Sequence, residues 1–92
     1  MKVKAKEALA REWAEKGFSC DLWVDPSGQR WEDYVHEVDE VVYVIEGTLE
    51  FEIGDKKQVL NPGDEASIPA RVRHSVRNIG AGTARWYYGY KS

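Results

Sequence analysis

Two histidines and one glutamate are the side chains of this chain best suited to metal chemistry. His36 lies four residues before Glu40, and His74, the other histidine of the sequence, follows in a separate segment, 63–78. Two neutral imidazoles and one carboxylate suit Fe, Mn, Ni, Co or Zn, and they leave coordination positions open for water, O₂ or a substrate. The residue types therefore predict a divalent-metal site built from His36, Glu40 and His74.

An extended segment and a turn must bring His36 and Glu40 together. If the segment that ends at His36 is extended, alternate side chains share a face. The polar members of that face are Arg30, Glu32, Tyr34 and His36. The opposite face then holds Trp31 and Val35. A tight turn near Val38-Asp39 would fold Glu40 back beside His36.

His74 belongs to a second short strand, predicted over 73–78. If its side chain points into the protein, those of Val76 and Asn78 do as well, because alternate residues share a face. The side chains that then point outward are Arg73, Ser75 and Arg77. We interpret Asn78 as structural, closing a turn or fixing a strand end.

A short helix is predicted ahead of the strands, over residues 4–16. The segment is rich in Ala, Glu and Lys, and its narrow apolar stripe consists of Ala5, Leu9 and Trp13. Gly17 follows where a helix cap is expected. We expect this helix to lie on the outside of the body.

From residue 18 onward the apolar period changes to two, which predicts strands. In the first strand, 18–25, the inward phase holds Phe18, Cys20, Leu22 and Val24, and the outward phase ends at Asp25. We therefore interpret Cys20 as a buried thiol. Residues 54–57 are predicted to form a hairpin turn. Further strands are predicted over 30–37, 40–46, 48–53, 66–69 and 83–90. Many short strands separated by turns are typical of a β-sandwich or β-barrel.

The spacing of the candidate ligands is similar to a motif of the cupin superfamily, G-x5-H-x-H-x3,4-E-x6-G. The matching residues here are Gly28, Tyr34, His36, Glu40 and Gly47. Every interval fits, and Tyr34 stands where the first histidine of the motif normally stands.

A second cupin motif, G-x5-P-x-G-x2-H-x3-N, is matched around His74. The residues at its positions are Gly63, Pro69, Arg71, His74 and Asn78. Again every interval fits, with Arg71 in place of the glycine. Over residues 28–78, more than half of its length, the chain resembles the cupin superfamily.

This resemblance implies an all-β, antiparallel jelly-roll (cupin) barrel that holds a divalent metal ion: Fe, Mn, Ni, Co or Zn. Carried over by position, the implied metal ligands are His36, Glu40 and His74, and Tyr34 takes the fourth place. A phenol ligates a metal only when it is strongly activated. We therefore assign Tyr34 a catalytic role, orienting water or acting as an acid or base. Because small cupins are commonly dimers, a homodimer is expected.

Composition excludes several other classes of protein. The 92 residues fit one domain, divided into a helical segment, 1–17, and a cupin β-barrel domain, 18–92. A net charge of −3 leaves no basic excess for nucleic acid. No apolar run approaches the roughly 20 residues of a membrane-spanning helix. The N-terminus also lacks the apolar stretch of a signal peptide, which predicts a cytoplasmic protein.

Three functions stay open at this point, because one fold hosts many activities. The first is a metalloenzyme of the oxygenase or isomerase/decarboxylase type, acting on a small molecule. The second is a non-catalytic small-molecule-binding or sensor barrel. The third is a structural or assembly role, in which both histidines are ordinary residues and Glu40 is a surface charge.

Two further groups of side chains are candidates for ligand contact. Arg71, in the loop before His74, would meet an anionic substrate, although a solvated sheet face is the simpler interpretation of the arginines around it. We interpret Trp86, Tyr88 and Tyr90 as core or dimer packing, with aromatic recognition of a ligand as the alternative. The side chains expected to line the barrel are Val42, Val44 and Phe51.

Overall fold

One helix and eight strands form residues 3–92, the part of the chain that this computed structural model describes. The helix α1 spans Lys6–Glu15, and the strands are β1 Asp21–Asp25, β2 Arg30–Tyr34, β3 Glu40–Glu46, β4 Leu49–Ile53, β5 Lys56–Leu60, β6 Glu65–Ile68, β7 His74–Asn78 and β8 Ala84–Tyr90. Met1 and Lys2, at the start of the predicted segment 1–17, lie outside the described residues.

The strands form two four-stranded antiparallel sheets. Their orders are β1-β8-β3-β6 and β2-β7-β4-β5. The predicted antiparallel β architecture behind a short helix is confirmed. Within residues 3–92, none of the helical structure is long and apolar enough to cross a membrane.

The main core lies between the two sheets and fills one end of the space between them. Val42, Val44 and Phe51 are fully buried there, together with Leu49. Burial of such side chains stabilises the fold by about 1.5–3 kcal/mol each. Val42, Val44 and Phe51 line the interior of the barrel, as expected, but they pack against one another and do not contact the cavity described below.

Helix α1 covers the outer face of the first sheet, as predicted. Its buried residues Leu9 and Trp13 pack against Val41 and Tyr43 of β3. Strand β3 is therefore buried on both faces, because its successive side chains point to opposite sides. Ala5 is not part of the apolar contact: it is the exposed N-cap residue of the helix.

The inward phase predicted for β1 is wrong. Leu22 and Val24 are exposed, at 42% and 44%, whereas Asp25 is 2% exposed. The carboxylate of Asp25 accepts hydrogen bonds from three indole N–H groups. These bonds satisfy a buried carboxylate that the alternation of apolar residues had placed on the outward face. Cys20 is half-buried beside the helix cluster, so the thiol is less enclosed than expected.

A β-bulge in β2 overturns the predicted face of that strand. The pairing register with β7 shifts between Trp31 and Tyr34, and Asp33 adopts a positive φ of 60°. Because a bulge adds one residue, side chains beyond it change face. Glu32 therefore pairs with Arg77 on the outside, while Tyr34 turns toward the interior.

Strand β5 was missed because its burial does not alternate. The predicted turn over 54–57 is shorter in the structure, and Lys56 and Lys57 already pair with Ile53 and Glu52. Four of the five residues of β5 are exposed, so no period of two marks the strand.

We expect Arg71→Gly to raise the free energy of unfolding by about 0.5–1 kcal/mol. Arg71 holds a positive φ of 66°, which strains any residue that carries a Cβ. Its ion pair with Glu37 joins two highly exposed side chains and contributes little. Urea unfolding of the variant measures the effect, with Arg73→Gly as the matched control. Arg73 is exposed and has ordinary φ, so that change should destabilise the protein.

Candidate metal centre and its aromatic cavity

His36, Glu40 and His74 converge at one end of the space between the sheets. The Oε1 atom of Glu40 lies 3.4 Å from Nε2 of His36 and 3.6 Å from Nε2 of His74. One ligand atom from each residue lies within 4.8 Å of the others. The predicted turn after His36 does fold Glu40 back beside it. The structure therefore brings together the three residues that the sequence singled out.

Strand pairing explains how three distant residues meet. Glu40 begins β3 and pairs with Tyr90 at the end of β8, whereas His74 begins β7 and pairs with Tyr34 at the end of β2. The two pairs stand at the same end of facing sheets. His36 lies in the loop from β2 to β3, which spans the gap between the sheets. Each candidate ligand is thus at a strand end or in a short connection.

Glu40 is buried without a hydrogen-bond partner for Oε1. Its side chain is 6% exposed, and burial raises the pKa of its carboxyl group from 4.5 to about 7. Buried polar atoms are nearly always hydrogen-bonded, so an orphaned carboxylate oxygen requires an explanation. The distances of 3.4 and 3.6 Å to the histidines exceed those of good hydrogen bonds.

His74 is held in one tautomer by the backbone. Its Nδ1 lies 3.2 Å from the carbonyl oxygen of Val72, which can only accept, so Nδ1–H is the donor. Burial lowers the pKa of His74, and the neighbouring His36 lowers it further. In the neutral ring the Nε2 lone pair then faces Oε1 of Glu40. Two lone pairs that face each other favour a proton or a metal ion between them.

Tyr90, which the sequence analysis assigned to core or dimer packing, lies nearer to His36 than Tyr34 does. The hydroxyl of Tyr90 is 3.4 Å from Nε2 of His36, and the ring centroids are 5.0 Å apart. Burial raises the pKa of Tyr90 to about 12, with a further contribution from Glu40. Tyr34, the predicted catalytic residue, also lines the cavity, but its ring centroid is 6.5 Å from that of His36. The pairing of Tyr90 with Glu40 depends on strand order, which the motifs do not encode.

A cavity of about 270 Å³ opens beside the three residues. Apart from His36, Glu40 and His74, its walls are Val76 and six aromatic residues: Trp23, Trp31, Tyr34, Trp86, Tyr88 and Tyr90. Most of the aromatic rings contact one another edge to face, with centroids near 6 Å. Trp86 belongs to the main core and Tyr88 packs against it, as predicted, and both line this cavity together with Tyr90.

Two other candidate residues lie away from the cavity. Arg71 pairs with the exposed Glu37, so its position does not support the contact with an anionic substrate. Asn78 is structural, as predicted: its Nδ2 group donates to carbonyl oxygens of Asp25, Pro26 and Gly82.

The sequence and the fold of this chain can be compared with those of known proteins. The model of the cupin domain family matches residues 22–90. The chain belongs to the cupin family. The match covers both motif segments and seven of the eight strands in full, which confirms the predicted cupin jelly roll. No curated protein sequence matches this cupin.

Solved structures with the same fold include proteins of different kinds. TT1209 from Thermus thermophilus has 29% sequence identity and a TM-score of 0.72, and the alignment covers 99% of this cupin and 98% of that chain. The cupin domain of an XRE family transcriptional regulator from Enterobacter cloacae has 24% identity, a TM-score of 0.74 and 87% coverage of both chains.

Several other neighbours are longer proteins. The plu4264 protein of Photorhabdus luminescens has 21% identity and a TM-score of 0.75; the alignment covers 83% of this cupin but only 63% of that chain. This cupin also spans 65% of the SPY1581 protein of Streptococcus pyogenes. At such identities the likeness shows the fold, and the function must be argued from the site.

Proposed function

We propose that this cupin binds a divalent transition-metal ion through His36, Glu40 and His74 and acts on a small molecule in the adjoining cavity. The observation that carries the proposal is the buried, unpartnered Oε1 of Glu40, flanked by Nε2 atoms at 3.4 and 3.6 Å. Ligand atoms about 2.1 Å from a common ion are separated by roughly 3.0–3.5 Å. The two separations between Glu40 and the histidines are therefore close to that range and longer than a good hydrogen bond.

The donor set indicates the class of metal. Imidazole nitrogen suits Fe, Co, Ni, Zn and Mn better than it suits Ca or Mg, which prefer oxygen. The carbonyl of Val72 orients His74, as outer partners of metal-ligating histidines commonly do. With three protein ligands, an ion here would act as a Lewis acid or bind O₂. This supports a metalloenzyme of the oxygenase or isomerase/decarboxylase type.

The protein's own groups would prepare the site for such chemistry. Tyr90 keeps its proton at neutral pH, so its hydroxyl is available to donate a hydrogen bond to an oxygen atom beside His36. The aromatic walls exclude water, which strengthens polar interactions in the cavity. We propose that Tyr34, at the rim of the cavity and 42% exposed, contacts the substrate, in keeping with its predicted catalytic role.

The aromatic walls also favour a second candidate, a small-molecule-binding or sensor barrel without catalysis. Those walls would hold a ligand whether or not a metal is present. Two further properties stay predictions, a cytoplasmic location and a homodimer. The exposed apolar side chains of Leu22 and Val24 on the edge strand β1 support the latter, because an edge strand is open to pairing with a second chain.

Metal addition should stabilise the protein strongly. At about 100 times its Kd, a bound ion adds about 2.7 kcal/mol to the free energy of unfolding, and Tm of a domain of this size rises by roughly 10–20 °C. Thermal unfolding of chelator-treated protein with Mn²⁺, Co²⁺, Ni²⁺ or Zn²⁺ measures this, with Mg²⁺ as the control of equal charge. Tm values that do not respond to any of the four ions would contradict the proposal.

We expect Tyr90→Phe to raise metal affinity by about three- to tenfold, because the hydroxyl contacts Nε2 of His36, the atom that faces Glu40, and so competes with a metal ion for its lone pair. Tyr34→Phe should leave the affinity unchanged within about threefold, since its ring lies farther from His36. Titration of both variants with Co²⁺, followed by its visible absorption, measures the two affinities. If the two substitutions changed the metal affinity equally, the contact between Tyr90 and His36 would have no influence on metal binding.

A further inference from the structure

The chemistry of the cavity walls indicates a class of ligand. Apart from the three candidate metal ligands, the described residues that line the cavity are one valine and six aromatic side chains, with no lysine or arginine among them. A ligand with several negative charges would find no counter-charge from these walls. Aromatic walls instead favour a ligand that offers a π surface, because ring pairs gain attraction beyond area burial.

The walls are fixed before any ligand arrives. Asp25 accepts hydrogen bonds at 2.9 Å from Trp23, at 2.9 Å from Trp31 and at 3.1 Å from Trp86. Tyr88 stands among these rings, with its centroid 5.9 Å from that of Trp23 and 6.0 Å from that of Trp86. A preorganised wall loses little conformational freedom on binding, which favours a rigid ligand.

The volume limits the size of that ligand. A cavity of about 150 Å³ holds one benzene ring. The 270 Å³ here leaves room for one ring with small substituents. The polar end of the cavity, at His36 and Glu40, is the place for a substituent with an oxygen atom.

We propose that the cavity binds a planar, single-ring aromatic molecule whose oxygen substituent points toward His36, Glu40 and His74. The ring would pack against Tyr88 and the three indoles held by Asp25. This inference rests on the proposed function for the role of the oxygen, since that atom would meet the metal. The ring contacts do not depend on the metal, so the two proposals can be tested separately.

Phenol and cyclohexanol are suitable probes because they are similar in size and carry one hydroxyl group each. We expect metal-free protein to bind phenol about tenfold more tightly than cyclohexanol, as two aromatic contacts would give. Three of the four tryptophans line the cavity, so tryptophan fluorescence reports binding, and ligand-observed NMR checks it. Equal affinities, or no binding of either probe at millimolar concentration, would overturn the inference.

Neighbouring tyrosines of β8 provide a matched pair of variants. Tyr88 faces the cavity, whereas Tyr87 packs against the cluster beneath helix α1, and both are half-buried. Tyr88→Leu should remove most of the preference for phenol, while Tyr87→Leu should keep it. Circular dichroism checks that both fold, and Tyr34→Leu at the exposed rim is the substitute if Tyr88→Leu does not. Loss of the preference in Tyr87→Leu alone would count against the assigned cavity.

The same titrations in protein loaded with Zn²⁺ separate this inference from the proposed function. If phenol is preferred but Zn²⁺ does not bind, the aromatic site stands and the metal site fails. If Zn²⁺ binds but phenol has no advantage over cyclohexanol, the metal site stands and the aromatic ligand class is wrong.

Discussion

Glu40→Gln should weaken metal binding by more than about 100-fold while it makes the metal-free protein more stable. Loss of an outer partner of a metal ligand typically costs 10–100-fold, and loss of a charged ligand itself costs more. The gain in stability arises because Glu40 is a buried carboxylate whose Oε1 atom has no hydrogen-bond partner. Opposite effects on metal affinity and on stability are characteristic of a residue kept for binding rather than for folding.

The stability gain depends on pH in a defined direction. Burial raises the pKa of Glu40 from 4.5 in the unfolded chain to about 7, so the folded state holds the proton more tightly. The stabilisation that this proton gives to the folded state is fully present below pH 4.5 and is lost as pH rises toward 7. Between pH 4.5 and pH 7 the free energy of unfolding of the metal-free parent protein should fall by up to about 3 kcal/mol relative to that of Glu40→Gln.

Denaturant unfolding at pH 4.5 and pH 8, with a chelator present, measures this difference, and isothermal titration with Zn²⁺ measures the affinity. Glu37→Gln is the matched control, because Glu37 is a neighbouring glutamate with a highly exposed side chain. A Glu40→Gln protein that binds Zn²⁺ like the parent would exclude Glu40 as a ligand. If Glu37→Gln lost as much affinity, the effect would come from the loss of one negative charge near the site and not from coordination by Glu40.

Asp25→Ala should lower the free energy of unfolding by about 3–5 kcal/mol, a large part of the 5–15 kcal/mol typical of a domain. The substitution removes the acceptor of three indole N–H groups. Trp23 is 38% exposed and can turn to water, whereas Trp86 is 6% exposed and would keep an unpaired donor. Tm should fall by roughly 12 °C or more.

Asp21→Ala is the control for that change, since Asp21 lies on the same strand and is exposed. It should alter the free energy of unfolding by no more than about 0.5 kcal/mol. Asp25→Asn should give an intermediate loss, because its amide keeps one acceptor oxygen and replaces the other with a donor. If Asp25→Ala unfolded within about 3 °C of the parent, the three hydrogen bonds would be energetically unimportant.

Motif spacing was sufficient to predict the candidate ligands, because each interval counts residues along a strand or a tight turn. The distance from His36 to Glu40 is bridged by one turn, and His74 and Asn78 lie at the two ends of β7. Such local geometry is contained in the sequence. The tertiary partner of each strand is not, and Tyr90 was placed in the core for that reason.

Alternation of apolar residues failed where hydrogen bonds override burial of apolar surface. Leu22 and Val24 look like inward residues, yet the partner of the three indoles, Asp25, decides which face of β1 is inside. The bulge at Asp33 likewise has no signature in the alternation of polar and apolar residues. The role of Asp25 is visible only when the tryptophans of three different strands are seen together.

Strand β8 carries a constraint on how the chain can vary. Its even-numbered side chains Trp86, Tyr88 and Tyr90 form the wall of the cavity, and Tyr87 between them packs beneath the helix. A single-residue insertion or deletion within β8 would exchange the two sets, because a shift by one residue turns every side chain to the other side. Variants of this protein can therefore change the type of residue at these positions far more readily than they can change the number of residues.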